Sequence, residues 1–186
     1  MNKTIKPIYE CVLLIRPNLS ENQAKMVAKE LYPIIQDNGG TIHHAEYWGF
    51  KTLAYKLKKN TKAHYVLINF SLSSLNTVHS FLQFNQSILR FLCIKCDAPI
   101  TSPSPQFVSY LDDTKNNETD DNDDKRNNKM SSEISYKNIR FIKKYVTEHG
   151  KIVPAYMSRT SRLQQKKIAI AVKRARFIDL LPYVVK

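Results

Sequence analysis

A polar, acidic stretch divides this chain and limits the folds open to it. Residues 98–133 combine three prolines and many Asn and Ser residues with acidic runs at 112–113 and 120–124. Such a composition has too few apolar side chains to bury a core, so it predicts a disordered acidic linker over 98–133. The chain is therefore expected to fold as two modules, residues 1–97 and 134–186.

Charge is distributed unevenly between these segments. Residues 1–100 carry twelve basic and six acidic side chains, 101–133 carry four and eight, and 134–186 carry thirteen and two, for a net charge of +13. A compact basic module has nucleic acid as its natural partner, because the phosphates that it neutralises release their counterions. The C-terminal module is thus the first candidate for a nucleic-acid interface.

The N-terminal module shows alternating strand and helix patterns. Apolar residues on both faces predict a first strand, and the Ser20 and Gln23 capping-box pattern opens a helix that Pro33 should kink or end. A long strand bent near Gly49, a lysine-rich turn, a further strand, a helix capped by Ser73 or Ser74 and a last strand follow. The predicted spans are 8–15, 20–37, 41–57, 63–70, 73–82 and 87–96. This βαββαβ order predicts an α+β ferredoxin-like plait.

The C-terminal module is predicted to be helical. Apolar spacing from Tyr136 to Val146 indicates an amphipathic helix that ends at His149-Gly150. A second helix begins at Ser161, where Gln164 completes a capping box, and runs to about Leu180. It places apolar and basic side chains on opposite faces. A module of about fifty residues is too small to rely on its own core, so it is expected to pack on a partner.

The N-terminal module resembles bacterial small-subunit ribosomal protein six over residues 8–97. The resemblance is carried by short pieces in the same order and spacing: Tyr9-Glu10, Gly39-Gly40-Thr41-Ile42-His43, Glu46 to Gly49, Leu53-Ala54-Tyr55, Lys62 to Leu67, Phe84-Asn85 and Ile88-Leu89-Arg90. The C-terminal module resembles small-subunit ribosomal protein eighteen over residues 135–185. Its pieces are Tyr136-Lys137-Asn138, Gly150 to Pro154, Ala171 to Arg176 and Leu180 to Tyr183.

These two families pair on the platform of the small ribosomal subunit, beside proteins eleven and fifteen. The resemblance therefore implies a fusion of two partners that binds central-domain rRNA as a structural constituent of the subunit, with the two modules pairing intramolecularly. Fusion would raise their effective concentration to the order of mM. The alternative is a free RNA-binding regulator that retains the ribosomal modules.

Basic side chains in both modules are the candidate rRNA contacts. A solvated helix face is the ordinary reading of a charge run, but here almost no acidic residues are interspersed to form ion pairs, which favours phosphate contact. The N-terminal candidates decorate the predicted hairpin. The full set is Lys151, Arg159, Arg162, Lys166, Lys167, Lys173, Arg174, Arg176, Lys56, Lys58, Lys59 and Lys62.

Aromatic residues near the hairpin allow two interpretations. Trp48, Tyr55 and Tyr65 could stack unpaired bases, as in some RNA-binding sheets, or could pack the protein interior. Packing is favoured for Tyr65, which lies in the most apolar strand. For Trp48 the two roles are left open.

Cysteine and histidine usage gives no metal site. Cys93 and Cys96 form a lone C-x-x-C on a predicted strand, where their sulfur atoms point to opposite faces, and together with Cys11 they are expected to be reduced thiols. His43, His44 and His64 lack other ligands at suitable spacing. No metal or cofactor is therefore predicted.

Enzyme, export and membrane signals are weak in this sequence. It contains no phosphate-binding glycine loop and no recognisable nucleophile motif, so we expect a protein without catalytic activity. It has no apolar run of about eighteen residues and no evident signal core or presequence, so neither a membrane span nor export is expected. We expect the protein on the ribosome, in the cytoplasm or, if organelle-encoded, in an organelle matrix.

Overall fold

The computed structural model describes residues 6–100, 103–106 and 134–184. The chain divides into two compact units at the bond between Pro103 and Ser104. Most of the predicted linker, residues 107–133, lies outside the described residues. Ser104 to Gln106 belong to the second unit, where the Gln106 side-chain amide donates a hydrogen bond of 2.8 Å to the carbonyl of Lys137.

The first unit is a four-stranded antiparallel sheet with helices. Its strands are β1 (Ile8–Ile15), β2 (Thr41–Leu57), β3 (Asn60–Ser71) and β4 (Ile88–Cys96), in the order β2-β3-β1-β4. Helices α1 (Glu21–Lys29) and α2 (Leu31–Asp37) connect β1 to β2, and α3 (Asn76–Phe84) connects β3 to β4. This topology confirms the predicted ferredoxin-like plait, with its first helix in two pieces.

The division between α1 and α2 follows from Pro33. A proline ring inside a helix clashes with the carbonyl four residues earlier, which here belongs to Lys29, and proline donates no hydrogen bond to it. The regular helix accordingly ends at Lys29, and Glu30 is its C-cap. Proline is tolerated in the first turn of the new helix, and Pro33 is the third residue of α2. The break therefore lies three residues before the proline.

The start of α3 differs from the prediction. Leu75 occupies the N-cap position and makes no side-chain capping bond. The hydroxyl of Ser74 accepts only a long hydrogen bond of 3.4 Å from the backbone of Asn76, and the helix begins one residue further on than a Ser74 cap would require. The predicted capping by Ser73 or Ser74 is therefore wrong.

The helices cover one face of the sheet. On this helix face, Lys25 of α1 lies 4.9 Å from the ring of Tyr47, and His79 of α3 contacts Phe91 at 5.2 Å between ring centroids. Strand register places a second apolar set on the opposite face, since Val12 pairs with Leu67 and Leu14 with Tyr65. We call this opposite side the second face. Its residues are Val12, Leu14, Tyr65, Leu67 and Trp48, which stacks on Tyr65.

Cys11 and Cys93 are directly opposite each other on β1 and β4. Their sulfur atoms are joined as a disulfide, so the expectation that all three cysteines are reduced is wrong for this pair. Cys96 is not part of the disulfide. Sequence patterns do not reveal this pair, because the two cysteines are 82 residues apart and the strand register brings them together.

The second unit contains the helices α4 (Ile139–Lys143), α5 (Ala155–Ser158) and α6 (Arg162–Phe177). Its core is apolar and centred on α6, with Tyr136, Ile142, Ile168, Val172, Ala175, Ile178 and Leu181 all buried. Among the described residues no helix is both long and apolar enough to cross a bilayer.

The first C-terminal helix is much shorter than predicted. It ends at Lys143, because the chain then turns so that Val146 pairs with Ile152 in an antiparallel bridge. The Thr147 hydroxyl accepts a hydrogen bond of 3.0 Å from the backbone of Lys151 and fixes this turn. The expected helix to His149-Gly150 is therefore wrong, since the bridge requires extended backbone where the helix would continue.

Candidate nucleic-acid interface

Helix α6 presents two rows of exposed basic side chains. At 100° per residue Arg162, Lys166 and Lys173 form one row, and Lys167 and Arg174 form a second row about 100° around the helix. Four of these side chains are exposed and Arg174 is half-buried. Acidic residues are absent from the helix, so no intrahelical ion pair engages these cations.

A row of exposed apolar side chains lies between the two basic rows. Leu163, Ile170 and Phe177 recur every seven residues, and their exposed fractions are 76%, 41% and 41%. A spacing of seven keeps the three side chains nearly in line, because a straight helix drifts by only about 20° per heptad. The outer face of α6 is thus apolar along its middle and basic along both edges.

The position of α6 is fixed by its first turn and its buried face. Ser161 and Gln164 form the predicted capping box, with hydrogen bonds of 3.3 and 3.0 Å. The Gln165 amide donates to the carbonyl of Val153 at 2.7 Å, which ties the helix to the preceding extended segment. These contacts hold the basic rows on a rigid support.

Arg176 has a different environment from the other basic residues of α6. Its guanidinium is half-buried, donates to the carbonyl of Gly150 and lies 5.7 Å from the ring centroid of Tyr183. Gly150 has a φ of 82°, and a Cβ atom there would lie 2.7 Å from the Tyr183 carbonyl oxygen. Arg176 therefore links two chain segments within the unit.

Lys151 and Arg159 lie in the segment that precedes α6. Both side chains are exposed. Arg159 is the C-cap of α5 and has left-handed backbone, with a φ of 50°. The two side chains add positive charge to the second unit.

The predicted basic hairpin is formed by β2 and β3. Lys56, Lys58, Lys59 and Lys62 are all exposed on it, and the Lys62 ammonium lies 5.7 Å from the ring of Phe50. The Gly49 bend is present as well, because the register of β2 against β3 shifts between Tyr47 and Gly49, where φ is 95°. The hairpin therefore carries a second concentration of basic side chains, on the first unit.

Trp48 and Tyr65 are packing residues. Both are fully buried, their ring centroids lie 6.5 Å apart, and the Trp48 indole donates a hydrogen bond of 2.7 Å to Glu46. Tyr55 is half-buried, and its hydroxyl accepts a hydrogen bond of 2.6 Å from Arg90. A buried ring offers no face to a base, so the structure favours packing for Trp48 as well as Tyr65.

The histidines on β2 and β3 act as hydrogen-bonding groups. His44 lies 2.9 Å from the buried carboxylate of Glu46. His64 is buried, and its Nε2 and Nδ1 atoms lie 2.8 Å from the Leu19 carbonyl and 2.7 Å from the Tyr47 hydroxyl. Within the described residues, no three His, Cys, Asp or Glu side chains lie together as a metal site would require.

The sequence reasoning missed Arg16. This residue follows β1 directly, and its exposed side chain lines a pocket together with Asn18, Lys58, Asn60 and Leu89. No linear motif indicates the pocket, since its residues come from three separate parts of the chain. Only the pairing of β1 with β3 and β4 brings them together.

Comparison with known proteins agrees with this architecture. Residues 8–95 match the model of the family "Ribosomal protein S6". The small ribosomal subunit protein bS6 of Rickettsia canadensis (strain McKiel) is 38% identical over 111 residues, which cover 59% of this chain and 90% of that protein. The chain belongs to the ribosomal protein S6 family. The bS6 protein of Gluconobacter oxydans (strain 621H) is 35% identical over 109 residues, 58% of this chain and 68% of that protein.

The second unit has its own match. Residues 131–181 match the model of the family "Ribosomal protein S18", so regions of two ribosomal protein families occur in one chain. A crystal structure of 30S ribosomal protein S6 from Thermotoga maritima aligns with 25% identity and a TM-score of 0.47, over 50% of this chain and 89% of that one.

Membership of the S6 family, with an S18 region in the same chain, identifies a protein of the small ribosomal subunit. Proteins of these families are RNA-binding structural components of the translation machinery and not enzymes, as the sequence predicted. The basic rows of α6 and the lysines of the hairpin are the candidate surfaces for RNA binding.

Proposed function

We propose that this chain serves the ribosome as a fused pair of proteins, in which an S6 unit and an S18 unit together bind central-domain rRNA on the platform of the small subunit. The observation that carries the proposal is the outer face of α6, with its basic rows and no acidic residue. The proposed partners beside it are ribosomal proteins eleven and fifteen. The protein would work wherever its ribosomes are, in the cytoplasm or an organelle matrix.

Phosphate contact explains the α6 rows better than solvation does. Arg162 and Lys173 are eleven residues apart, so at 1.5 Å per residue their row extends about 16 Å along the helix axis. A rigid row of this length can contact several phosphates of one RNA strand, and each contact releases counterions. Such contacts position the protein on the RNA without reading its sequence.

Pairing of the two units is supported by exposed apolar side chains on the S18 unit. The second face of the sheet carries apolar side chains, and the helices of the first unit lie on the other side. The S18 unit is small and exposes large apolar residues on α5, namely Tyr156 and Met157. Association that covers these exposed residues would remove apolar surface of the S18 unit from water, which favours pairing by roughly 25 cal/mol per Å².

The RNA-binding role can be tested by changing the first basic row. Replacing Arg162, Lys166 and Lys173 together by Gln should weaken binding to a central-domain rRNA fragment and lower the slope of log affinity against log salt by about two to three, since each lost phosphate contact removes roughly 0.7–0.9. The charge-matched control replaces Arg140, Lys143 and Lys144, which precede the helix. Equal slopes for both triple variants would contradict phosphate contact by α6.

Placement on the ribosome needs a separate measurement. Tagged full-length chain should sediment with salt-washed small subunits, and crosslinking should give a dominant footprint on central-domain rRNA. Crosslinks scattered over messenger RNAs, with no chain on washed subunits, would instead establish the free RNA-binding regulator.

A further inference from the structure

A polar pocket of about 340 Å³ lies at one end of the sheet of the first unit. Its lining residues are Arg16, Asn18, Lys58, Asn60 and Leu89. Pockets that bind small ligands have volumes of about 300–1,000 Å³, and this one falls at the small end of that range. Its side chains include two cations and two carboxamides, so its chemistry suits an anionic, hydrogen-bonding group.

The strand ends hold Arg16 in place. Its backbone N–H donates a hydrogen bond of 3.0 Å to the carbonyl of Ser87, directly after β1 pairs with β4. Leu89 of β4 is buried and gives the pocket an apolar wall. Among the described residues no carboxylate forms an ion pair with Arg16 or Lys58. Both cations are therefore available to a ligand.

The turn that carries Lys58 has an unfavourable sequence for its shape. Lys58 and Lys59 have φ values of 47° and 70°, so both lie in the left-handed region. Two-residue hairpin turns of this kind favour Asn-Gly, because side chains other than Asn, Asp and Gly raise the energy there. The Asn60 side chain supports the turn by donating to the carbonyls of Leu57 and Lys58 at 3.3 and 3.2 Å. Lysine at both positions therefore makes the turn less stable than Asn-Gly would, and it adds two positive charges.

We propose that this pocket binds the phosphate of a nucleotide in an RNA strand. The Arg16 guanidinium offers paired N–H donors that match phosphate oxygens, and Lys58 adds a point charge. Asn18 and the Oδ1 atom of Asn60 add hydrogen-bonding groups to the lining, since the Asn60 Nδ2 atom donates to the turn, and Leu89 adds an apolar wall. That the phosphate belongs to RNA is an inference that rests on the proposed function. That the pocket binds a phosphate is inferred from the pocket alone.

The turn allows a test in which loss of folding is not a concern. Changing Lys58→Asn together with Lys59→Gly should raise the midpoint of thermal unfolding of the full-length chain and weaken its binding to the rRNA fragment about 3- to 10-fold. Arg16→Gln should weaken binding to a similar extent and lower the salt slope by about one. Lys95→Gln is the matched control, because Lys95 pairs with Tyr9 at the other end of the sheet. Affinities equal to that of the control would overturn RNA binding by the pocket.

A second measurement tests the pocket directly. Adenosine monophosphate added to the full-length chain should shift the NMR signals of the Arg16 Nε–H group and of the Asn18 and Asn60 side-chain amides, and adenosine without phosphate should leave them in place. If the nucleotide and the RNA fragment both leave these signals unchanged, the phosphate site is refuted. Shifts with the free nucleotide but not with RNA would assign the pocket to free nucleotides and refute the RNA source.

The two measurements also separate this inference from the proposed function. RNA binding that depends on α6 alone, with no response at Arg16, would refute the pocket and leave the ribosomal role intact. If the Arg16 signal responds to the nucleotide but the chain does not bind central-domain rRNA, the phosphate site is supported and the proposed ribosomal role is refuted.

Discussion

Lys173 and Arg176 lie three positions apart on α6 and have different surroundings. Lys173 is exposed, whereas the Arg176 guanidinium contacts Gly150 and Tyr183. A planar guanidinium can donate to a carbonyl and stack on a ring at the same time, which an ammonium cannot do. The helical pattern groups the two residues together, because it contains no information on Gly150, which is 26 residues away.

His64 is a buried titratable side chain whose surroundings lower its pKa. Burial lowers the pKa of His64, and its hydrogen bond to Leu19 and the nearby Glu21 carboxylate oppose this effect only in part. The Leu19 carbonyl can only accept, so Nε2 carries the proton and Nδ1 accepts from the Tyr47 hydroxyl. The fold therefore favours neutral imidazole.

A pH dependence of stability follows from His64. Because its folded pKa is below the unfolded value of about 6.5, the unfolded chain binds more protons between the two values. The contribution is complete above the unfolded pKa and is lost as pH falls toward the folded pKa. Urea unfolding should therefore show lower stability at pH 5.5 than at pH 7.5.

The matched control for this prediction is a pair of variants. His64→Gln should lower stability at pH 7.5 and flatten its pH dependence, while His43→Gln, on an exposed position of β2, should keep the wild-type profile. An unchanged slope in His64→Gln would assign the acid sensitivity to other groups.

The helices show which features a local sequence determines. Capping boxes at Ser20 and Ser161 were predicted and are present, because each depends on residues within four positions. The predicted helix after Tyr136 is wrong beyond Lys143, because its end depends on the bridge between Val146 and Ile152. The start of α3 was mispredicted because no side-chain cap forms there, so local patterns predicted the starts that carry a capping box but not the uncapped start or the end set by the bridge.

The cap of α6 gives a prediction at this scale. Ser161→Ala removes the side-chain acceptor for the Gln164 N–H and should cost about 1 kcal/mol of unfolding free energy. Ser161→Asp should retain stability, since aspartate caps well and its charge suits the helix N-terminus. Chemical unfolding of the full-length chain, followed by helical circular dichroism, gives both values. Equal losses for Ala and Asp would show that the cap is not the cause.

At the scale of the whole molecule, the order of elements was predictable and several of their contacts were not. Strand and helix periodicities predicted the βαββαβ order, and the two ribosomal resemblances agreed with it. The Cys11–Cys93 disulfide and the pocket around Arg16 depend on strands far apart in sequence. A single sequence does not specify strand register, so neither feature could be derived from it.

Cutting the chain between its units tests whether they pair. A protease site between Ile100 and Pro103 preserves the hydrogen bond of 3.2 Å from Ile100 to Asn69 and leaves Ser104 in the second unit. After cleavage the two fragments should elute together from a size-exclusion column if the units associate. Elution as two separate species would contradict pairing. A cut near Asp121 is the control, because it falls inside the second unit.

Residues 104–106 belong to the second unit, and this limits where the chain can change in length. Both ends of the 107–133 segment, Gln106 and Ile134, belong to one unit, so its length has no effect on the distance that the tether between units can span. Length changes within the 107–133 segment should therefore leave the link between the units unchanged, whereas insertions at the boundary between Pro103 and Ser104 should lengthen it.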